Sequence, residues 1–370
     1  MTLADHPYRS QPDRAFWSRG VAKDFSPAET YSGPTPLLVQ SDRIMSAGSC
    51  FASNLVPFLE RAGFTYLRTE QPHPYLRDMP ENLGYRNFTA AYGNIYTARQ
   101  FLQLIDRGYG RFAPAEDRWY VDGAVVDPFR PGLRYPARSD AEFDVLNAQH
   151  LAAVRKGLES ATVLVFTLGL TEAWRSSIDG AVYPACPGTI SGEFDPARHE
   201  FHNFSASEVT EDLHGICDRL HAVNPELRII LTVSPVPLVA TATDSHVVVA
   251  TTRSKAILRV AAGEITDARS NVTYFPAYEI VTGPQAPHDS FEEDRREVSS
   301  HAVETVMSAL VSQCESSPDA FEQVTTDETV IEDVADDRAP VAADAVGSTS
   351  ASLAQLVAEA ECDEMLADNG

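Results

Sequence analysis

The chain has 370 residues, enough for one large domain or two small ones. Its longest clear apolar run, ATVLVFTLGL over 161–170, falls short of the roughly 20 residues of a membrane span, and no basic stripe offers itself to nucleic acid. The net charge of −24 is uneven, because residues 315–370 carry 15 acidic side chains and a single basic one, Arg338.

The first 40 residues hold Pro7, Pro12, Pro27, Pro34 and Pro36 and read as an extended arm wrapping a body. Their polar start, MTLADHPYRSQPDR, lacks the apolar core of a signal peptide. Five scattered cysteines (Cys50, Cys186, Cys217, Cys314, Cys362) include no CxxC pair, so neither a disulfide framework nor a zinc ribbon is expected. A cytoplasmic protein without membrane or nucleic-acid partners is the expectation.

From residue 42 strands alternate with helices. RIMSAG (43–48) predicts a strand, followed by a helix over 51–62, a strand over 64–69 and a helix over 97–108 stopped by Gly108. Asp122-Gly123 and Asp179-Gly180 signal two hairpins that decorate the main sheet. Then come a helix over 150–161, a buried strand over 162–169 and an amphipathic helix over 205–224 with Ser205 and Glu208 as a capping box. A strand over 228–235, a helix over 250–265, a strand over 271–276 and a closing helix over 298–314 complete the body, 41–314. This order predicts a doubly wound parallel α/β sheet, whose ligands bind at the carboxyl ends of its strands. Residues 315–370 read as an acidic, mostly disordered tail with a short helix over 350–366, a candidate for docking a protein partner.

The strand ends carry the chemistry. SAGSCFASNL (46–55) turns from strand to helix at Gly48, Ser49 and Cys50. A cysteine in the first turn of a helix has its pKa lowered, and the N–H groups there can hold an oxyanion. The plain alternative is a Ser49 cap beside a buried thiol. A thiol nucleophile needs a base, and His73, His246, His288 and His301 are the candidates, with His246 and His288 in loops at the functional edge and His301 facing solvent. Glu292, Glu293, Asp294 and Glu297 cluster near the last helix, where an acid can orient a histidine. Thr171 and Glu172 in GLTEAW can contact substrate, Asn94 offers an amide and Arg99 an anion contact. His199 and His202 with Cys186 are a weak metal pattern, so no metal is expected. No phosphate-binding glycine loop is present in the sequence, and no cofactor is expected.

At GSCFA (48–52) the chain resembles the GSCFA family of the SGNH/GDSL hydrolase superfamily. GNIYTARQ, DPFRP, VFTLGLTEAW, LTVSPVPL, SKAILR and YFPAYEI look like the family in the same order, over roughly residues 6 to 312. The resemblance implies a flavodoxin-like three-layer α/β/α domain with an acyl-ester active site. It places Cys50 at the nucleophile position and Ser49 at the aspartate of the Gly-Asp-Ser turn. The Gly-x-Asn-Asp segment falls on Gly169 to Glu172, with Thr171 at the oxyanion-hole asparagine and Asn94 as the substitute amide. The final Asp-x-x-His falls on Asp294 to Glu297, so Glu297 stands at the histidine position. His246, which looks like a feature of the family, ranks first as base and His288 second.

The reading is an ester hydrolase or O-acyltransferase with Cys50 as nucleophile, His246 as base and Asp294 as acid, acting on a small-molecule or glycan ester. The competing readings are a ligand-binding member with a degenerate triad and, less well framed, an esterase using Ser49, which sits one residue early for the tip of the turn.

Overall fold

The structure is a computed structural model that describes residues 6–72, 85, 88–131, 133 and 135–316, with Cys50 described through its backbone. His73 and the acidic tail from residue 317, with the helix expected over 350–366, lie outside the described residues.

Ten strands and nine α-helices are described, in chain order. The strands are β1 (Arg43–Gly48), β2 (Thr65–Tyr66), β3 (Trp119–Val121), β4 (Ala124–Val126), β5 (Val163–Leu168), β6 (Glu172–Ser176), β7 (Val182–Tyr183), β8 (His199–Asn203), β9 (Arg228–Val233) and β10 (Val272–Tyr274). The helices are α1 (Trp17–Gly20), α2 (Cys50–Ser53), α3 (Leu55–Arg61), α4 (Ala98–Gly108), α5 (Asp140–Ser160), α6 (Ala206–Val223), α7 (Val247–Ala268), α8 (Ala277–Val281) and α9 (Ser300–Val311).

Five parallel strands form the main sheet in the order β2-β1-β5-β9-β10, which is the flavodoxin-like arrangement. All of β5 is buried, and its side chains alternate between two cores. Leu164 and Phe166 join Met45 and Ala47 under α4, α5, α6 and α7. Val163 and Val165 join Ile44 and Ile230 under α3, α8 and α9. The period of two in a strand thus builds a three-layer α/β/α sandwich around one sheet. Tyr31, Leu37 and Leu38 from the N-terminal segment enter the second core. Leu37 N–H donates to Gln313 O at 2.7 Å and Glu315 N–H to Leu38 O at 2.8 Å, so the segment before β1 and the segment after α9 clasp one another.

Most elements stand where the sequence places them, and the departures have physical causes. The helix expected over 51–62 is broken into α2 and α3 at Asn54. Pro57 has no N–H to bond Ser53 O, and its ring crowds that carbonyl. The helix expected over 150–161 begins ten residues earlier, at Asp140, because Ser139 accepts the Glu142 N–H and starts it there. GLTEAW, read as a strand-end loop, continues into β6, the centre of a three-stranded antiparallel sheet β7-β6-β8. Asp122 (φ 49°) and Gly123 (φ 80°) make the left-handed turn that the first hairpin requires. Among the described residues no helix is long and apolar enough to cross a membrane.

The expected capping box forms at α6. Burial alone would raise the Glu208 pKa, but the Ser205 N–H, the Ser205 hydroxyl and His202 all hydrogen-bond its carboxylate and hold it at about 2. Its stabilisation is therefore present above pH 4.5, its ordinary value, and is lost as pH falls towards 2. Urea unfolding of wild type and Glu208→Gln across that range should show the wild type's advantage at pH 6 and the two curves converging on acidification.

Candidate active site

The strand order reverses direction at β1 and β5, so their carboxyl ends flank the topological switch point where ligands bind in such sheets. Gly48 is the last residue of β1 and pairs in register with Thr167 of β5. Its φ is +147°, and a Cβ there would fall 2.6 Å from Thr167 O and 2.7 Å from Thr167 Cβ. Only glycine fits, by conformation and by space. The chain then turns through Ser49 into α2, which starts at Cys50.

Ser49 occupies the N-cap position but makes no cap hydrogen bond. Its hydroxyl is buried without a partner among the described residues, an uncommon condition for a native polar group. The Ser49 cap of the plain alternative therefore does not form as a hydrogen bond. The electrostatic argument for Cys50 changes too. α2 is a single turn, cut off by Pro57, and aligns few peptide dipoles.

The segment 93–97 closes over this turn. Ile95 N–H donates to Gly48 O at 2.8 Å, which sets Asn94, half-buried, beside the end of β1. Gly169 and Leu170 N–H both donate to Tyr96 O at 3.0 Å. A Cβ on Gly169 would fall 2.9 Å from that same oxygen. The polar groups predicted to face substrate after β5 are therefore spent internally in this structure. Thr171, fully buried, donates its N–H to Ser254 Oγ at 2.9 Å and its hydroxyl to Asn203 Oδ1 at 2.8 Å. Glu172, also buried, accepts from Thr241 Oγ1 at 2.8 Å and from Ala242 N–H at 3.2 Å. Glu172 thereby anchors the loop 234–246 that leads to His246. Arg99, expected to contact an anion, is paired with the buried Asp212 at 2.5 Å.

His246 caps α7. It is exposed, and its Nδ1 accepts the Val248 N–H at 3.2 Å, so the neutral ring carries its proton on Nε2. His288 is exposed in the loop after α8. Asp294 caps its own turn, accepting the N–H of Arg296 at 2.9 Å and of Glu297 at 3.0 Å, and Glu297 is exposed. The imidazole–carboxylate pairs among the described residues are His150–Glu70, His199–Glu116 and His202–Glu208. The structure does not bring Asp294 together with His246 or His288. His199 and His202 are each engaged by a different carboxylate rather than converging.

Lys255 is the residue that sequence reasoning missed. It is 2 % exposed, and its Nζ donates to Gly169 O at 2.6 Å. Gly169 lies two residues beyond the register partner of Gly48, so a buried lysine amine sits at the same sheet edge as the Gly48–Cys50 turn. Its signal was legible: Lys255, Leu258, Ala262 and Ile265 share one helical face, and the other three are core residues. Lys255 follows the His246 cap by nine residues, about 13 Å of helix.

The GSCFA family model matches residues 43–310, a span that runs from β1 into α9. The chain belongs to the GSCFA family. Comparison with curated proteins gives no match. Among solved structures, the GSCFA chain is similar to a carbohydrate esterase family 3 protein from Talaromyces cellulolyticus, at 9% identity and TM-score 0.35, covering 73% of this chain and 95% of that one. It is also similar to a GDSL-like lipase from Bacteroides thetaiotaomicron VPI-5482, at 11% identity and TM-score 0.33, covering 77% and 92%. The pentapeptide that gives this family its name forms the turn at the switch point of the GSCFA fold.

Gly48→Ala should destabilise the protein by about 1–3 kcal/mol, read as a lowered urea midpoint, because the strained conformation and the contact with Thr167 add. Glu172→Ala should raise amide hydrogen exchange over residues 238–246 and leave β5 and β9 protected, since it removes the anchor of that loop alone.

Proposed function

We propose that this protein is an ester hydrolase or O-acyltransferase with Cys50 as its nucleophile. The observation that carries the reading is the glycine-only turn at the switch point, which delivers the residue after Ser49 to the edge where the fold binds ligands. The Cys50 thiolate attacks the acyl carbonyl, forming a tetrahedral oxyanion. The alkoxide leaves with the proton that His246 has taken from the Cys50 thiol, and a thioester remains. Water or a hydroxyl of a glycan or small molecule then attacks the thioester, releasing the acid or a new ester and restoring the thiolate. Cysteine suits transfer, because a thioester reacts readily with acceptors other than water.

His246 is the proposed base. In its capping tautomer the basic atom is Nδ1, so the ring must leave the Val248 N–H to take the proton. Asn94 is the proposed oxyanion donor. Lys255 supplies the positive charge that the one-turn α2 does not, favouring thiolate over thiol. The scattered cysteines suit a reducing cytoplasm, and the acidic tail suits a basic protein partner. A second reading, a ligand-binding member without catalysis, is favoured by Asp294 being spent on its own turn.

The pH dependence of iodoacetamide alkylation at Cys50, followed by peptide mass spectrometry, separates the readings. A thiolate pKa below 7.5, raised by at least one unit in Lys255→Met and restored in Lys255→Arg, is expected of the enzyme. Incubation with p-nitrophenyl acetate should acetylate Cys50, and His246→Ala should slow this at least 100-fold. Ordinary thiol reactivity, unchanged in both variants and without acetylation, would establish the binding reading instead.

A further inference from the structure

The N-terminal segment carries a charge of opposite sign to the rest of the chain. Residues 6–24 hold Arg9, Arg14, Arg19 and Lys23 against Asp13 and Asp24, whereas residues 25–314 hold 24 basic and 35 acidic side chains. Residues 13–23 fold into a small knuckle that presents this charge beside aromatic rings. A Cβ on Gly20 would fall 2.7 Å from Arg14 Cα, so α1 packs directly on the turn before it. Val21 and Ala22 N–H both donate to Trp17 O, at 3.0 and 2.9 Å. The Arg19 guanidinium pairs with Asp13 at 2.9 Å and lies 3.7 Å from the centre of the Phe16 ring. Arg14 and Lys23 are exposed, and among the described residues neither has a carboxylate within ion-pair distance. Trp17 is 61% exposed, although a tryptophan ring is ordinarily mostly buried.

The acidic segment of the same chain starts beside this knuckle. Gln313 Nε2 donates to Ala28 O at 3.0 Å, next to the backbone bonds that join Gln313 and Glu315 to Leu37 and Leu38. Arg228 Nη1 donates to Leu37 O at 3.0 Å, which puts the junction at the start of β9, on the opposite edge of the sheet from Cys50. Ala28 is five residues from Lys23, at most about 18 Å of extended chain. Glu322 is nine residues beyond Gln313, a reach of up to about 32 Å. Residues 319–337 can therefore reach the knuckle. They carry eight acidic side chains and no basic one, together with Phe321.

We propose that residues 319–337 dock on the 13–23 knuckle of the same chain, their carboxylates against Arg14, Arg19 and Lys23 and Phe321 against Trp17. Exposed ion pairs are individually weak. Tethering compensates for this, because a segment joined nearby is present at millimolar effective concentration. The clasp covers the positive surface of the chain with its most negative segment. A basic protein partner of the tail must then displace the arm to bind. Nothing in the clasp depends on the chemistry proposed at Cys50.

The sequence has three lysines, Lys23, Lys156 and Lys255, of which Lys255 is buried and Lys156 is exposed on α5, so amine-directed crosslinking tests the proposal. A zero-length carbodiimide crosslink in the full-length protein at low salt, read by peptide mass spectrometry, should join Lys23 to acids within 319–337 at least fivefold more than it joins Lys156 to them. An equal mixture of ¹⁴N and ¹⁵N protein should give links within one isotope only. The links should fall at least fivefold in about 0.5 M sodium chloride, where exposed charges are screened. They should fall as far in the double variant Arg14→Glu, Arg19→Glu, which leaves Lys23 in place, with an unchanged circular dichroism spectrum. Lys23 joining 319–337 no more than Lys156 does, links between isotopes, or links indifferent to salt and charge reversal would overturn it.

Discussion

The contact between Gly48 and Thr167 governs the molecule. β1 and β5 pair in parallel up to that point, and the chain then has to leave β1 without colliding with its neighbour. The backbone at Gly48 comes so near Thr167 that no side chain fits between them. This close approach allows Ile95 to dock on Gly48 O, and Tyr96 to take both N–H groups at the end of β5. The turn, the covering segment and the central strand thereby become one rigid unit.

That unit explains why donors near the site are scarce. A parallel sheet leaves its last peptide groups unpaired at the carboxyl edge, and buried polar groups must find partners. Tyr96, Ser254, Asn203 and Lys255 satisfy those around Gly169 and Thr171. The second and third turns of α7 are tied to the end of β5 by Ser254 and Lys255, and its start is capped by His246. α7 is thus fixed at the floor of the site and open at its rim. The loop before it hangs on Glu172.

A second polar system lies apart from this edge. Glu70, Asp127, Arg130 and His150 are all buried and joined in a chain of pairs, His150–Glu70–Arg130–Asp127. The DPFRP motif, quoted from the sequence as a mark of family likeness, has this structural meaning: Asp127 and Arg130 close the network at 2.7 Å, three residues apart. Buried ionic groups of this kind persist when every member is held, and each of these four is paired with another.

Much of this was legible in the chain itself. The alternation of apolar runs and amphipathic stretches specified a doubly wound parallel sheet, because strand and helix periods differ and each must bury one side of itself. The Gly48–Cys50 turn, the capping box at Ser205 and the Asp122-Gly123 hairpin follow from local chemistry that needs no distant partner. Tertiary structure decided everything that depends on what lies across a gap. It spent Thr171 and Glu172 on internal bonds, turned Asp294 onto its own loop and placed Lys255 under the sheet edge. It also joined Glu70 to His150, 80 residues apart. Spacing along a chain records which residues share an element's face. Whether a polar group on that face is free or committed depends on a partner that sequence order does not place beside it.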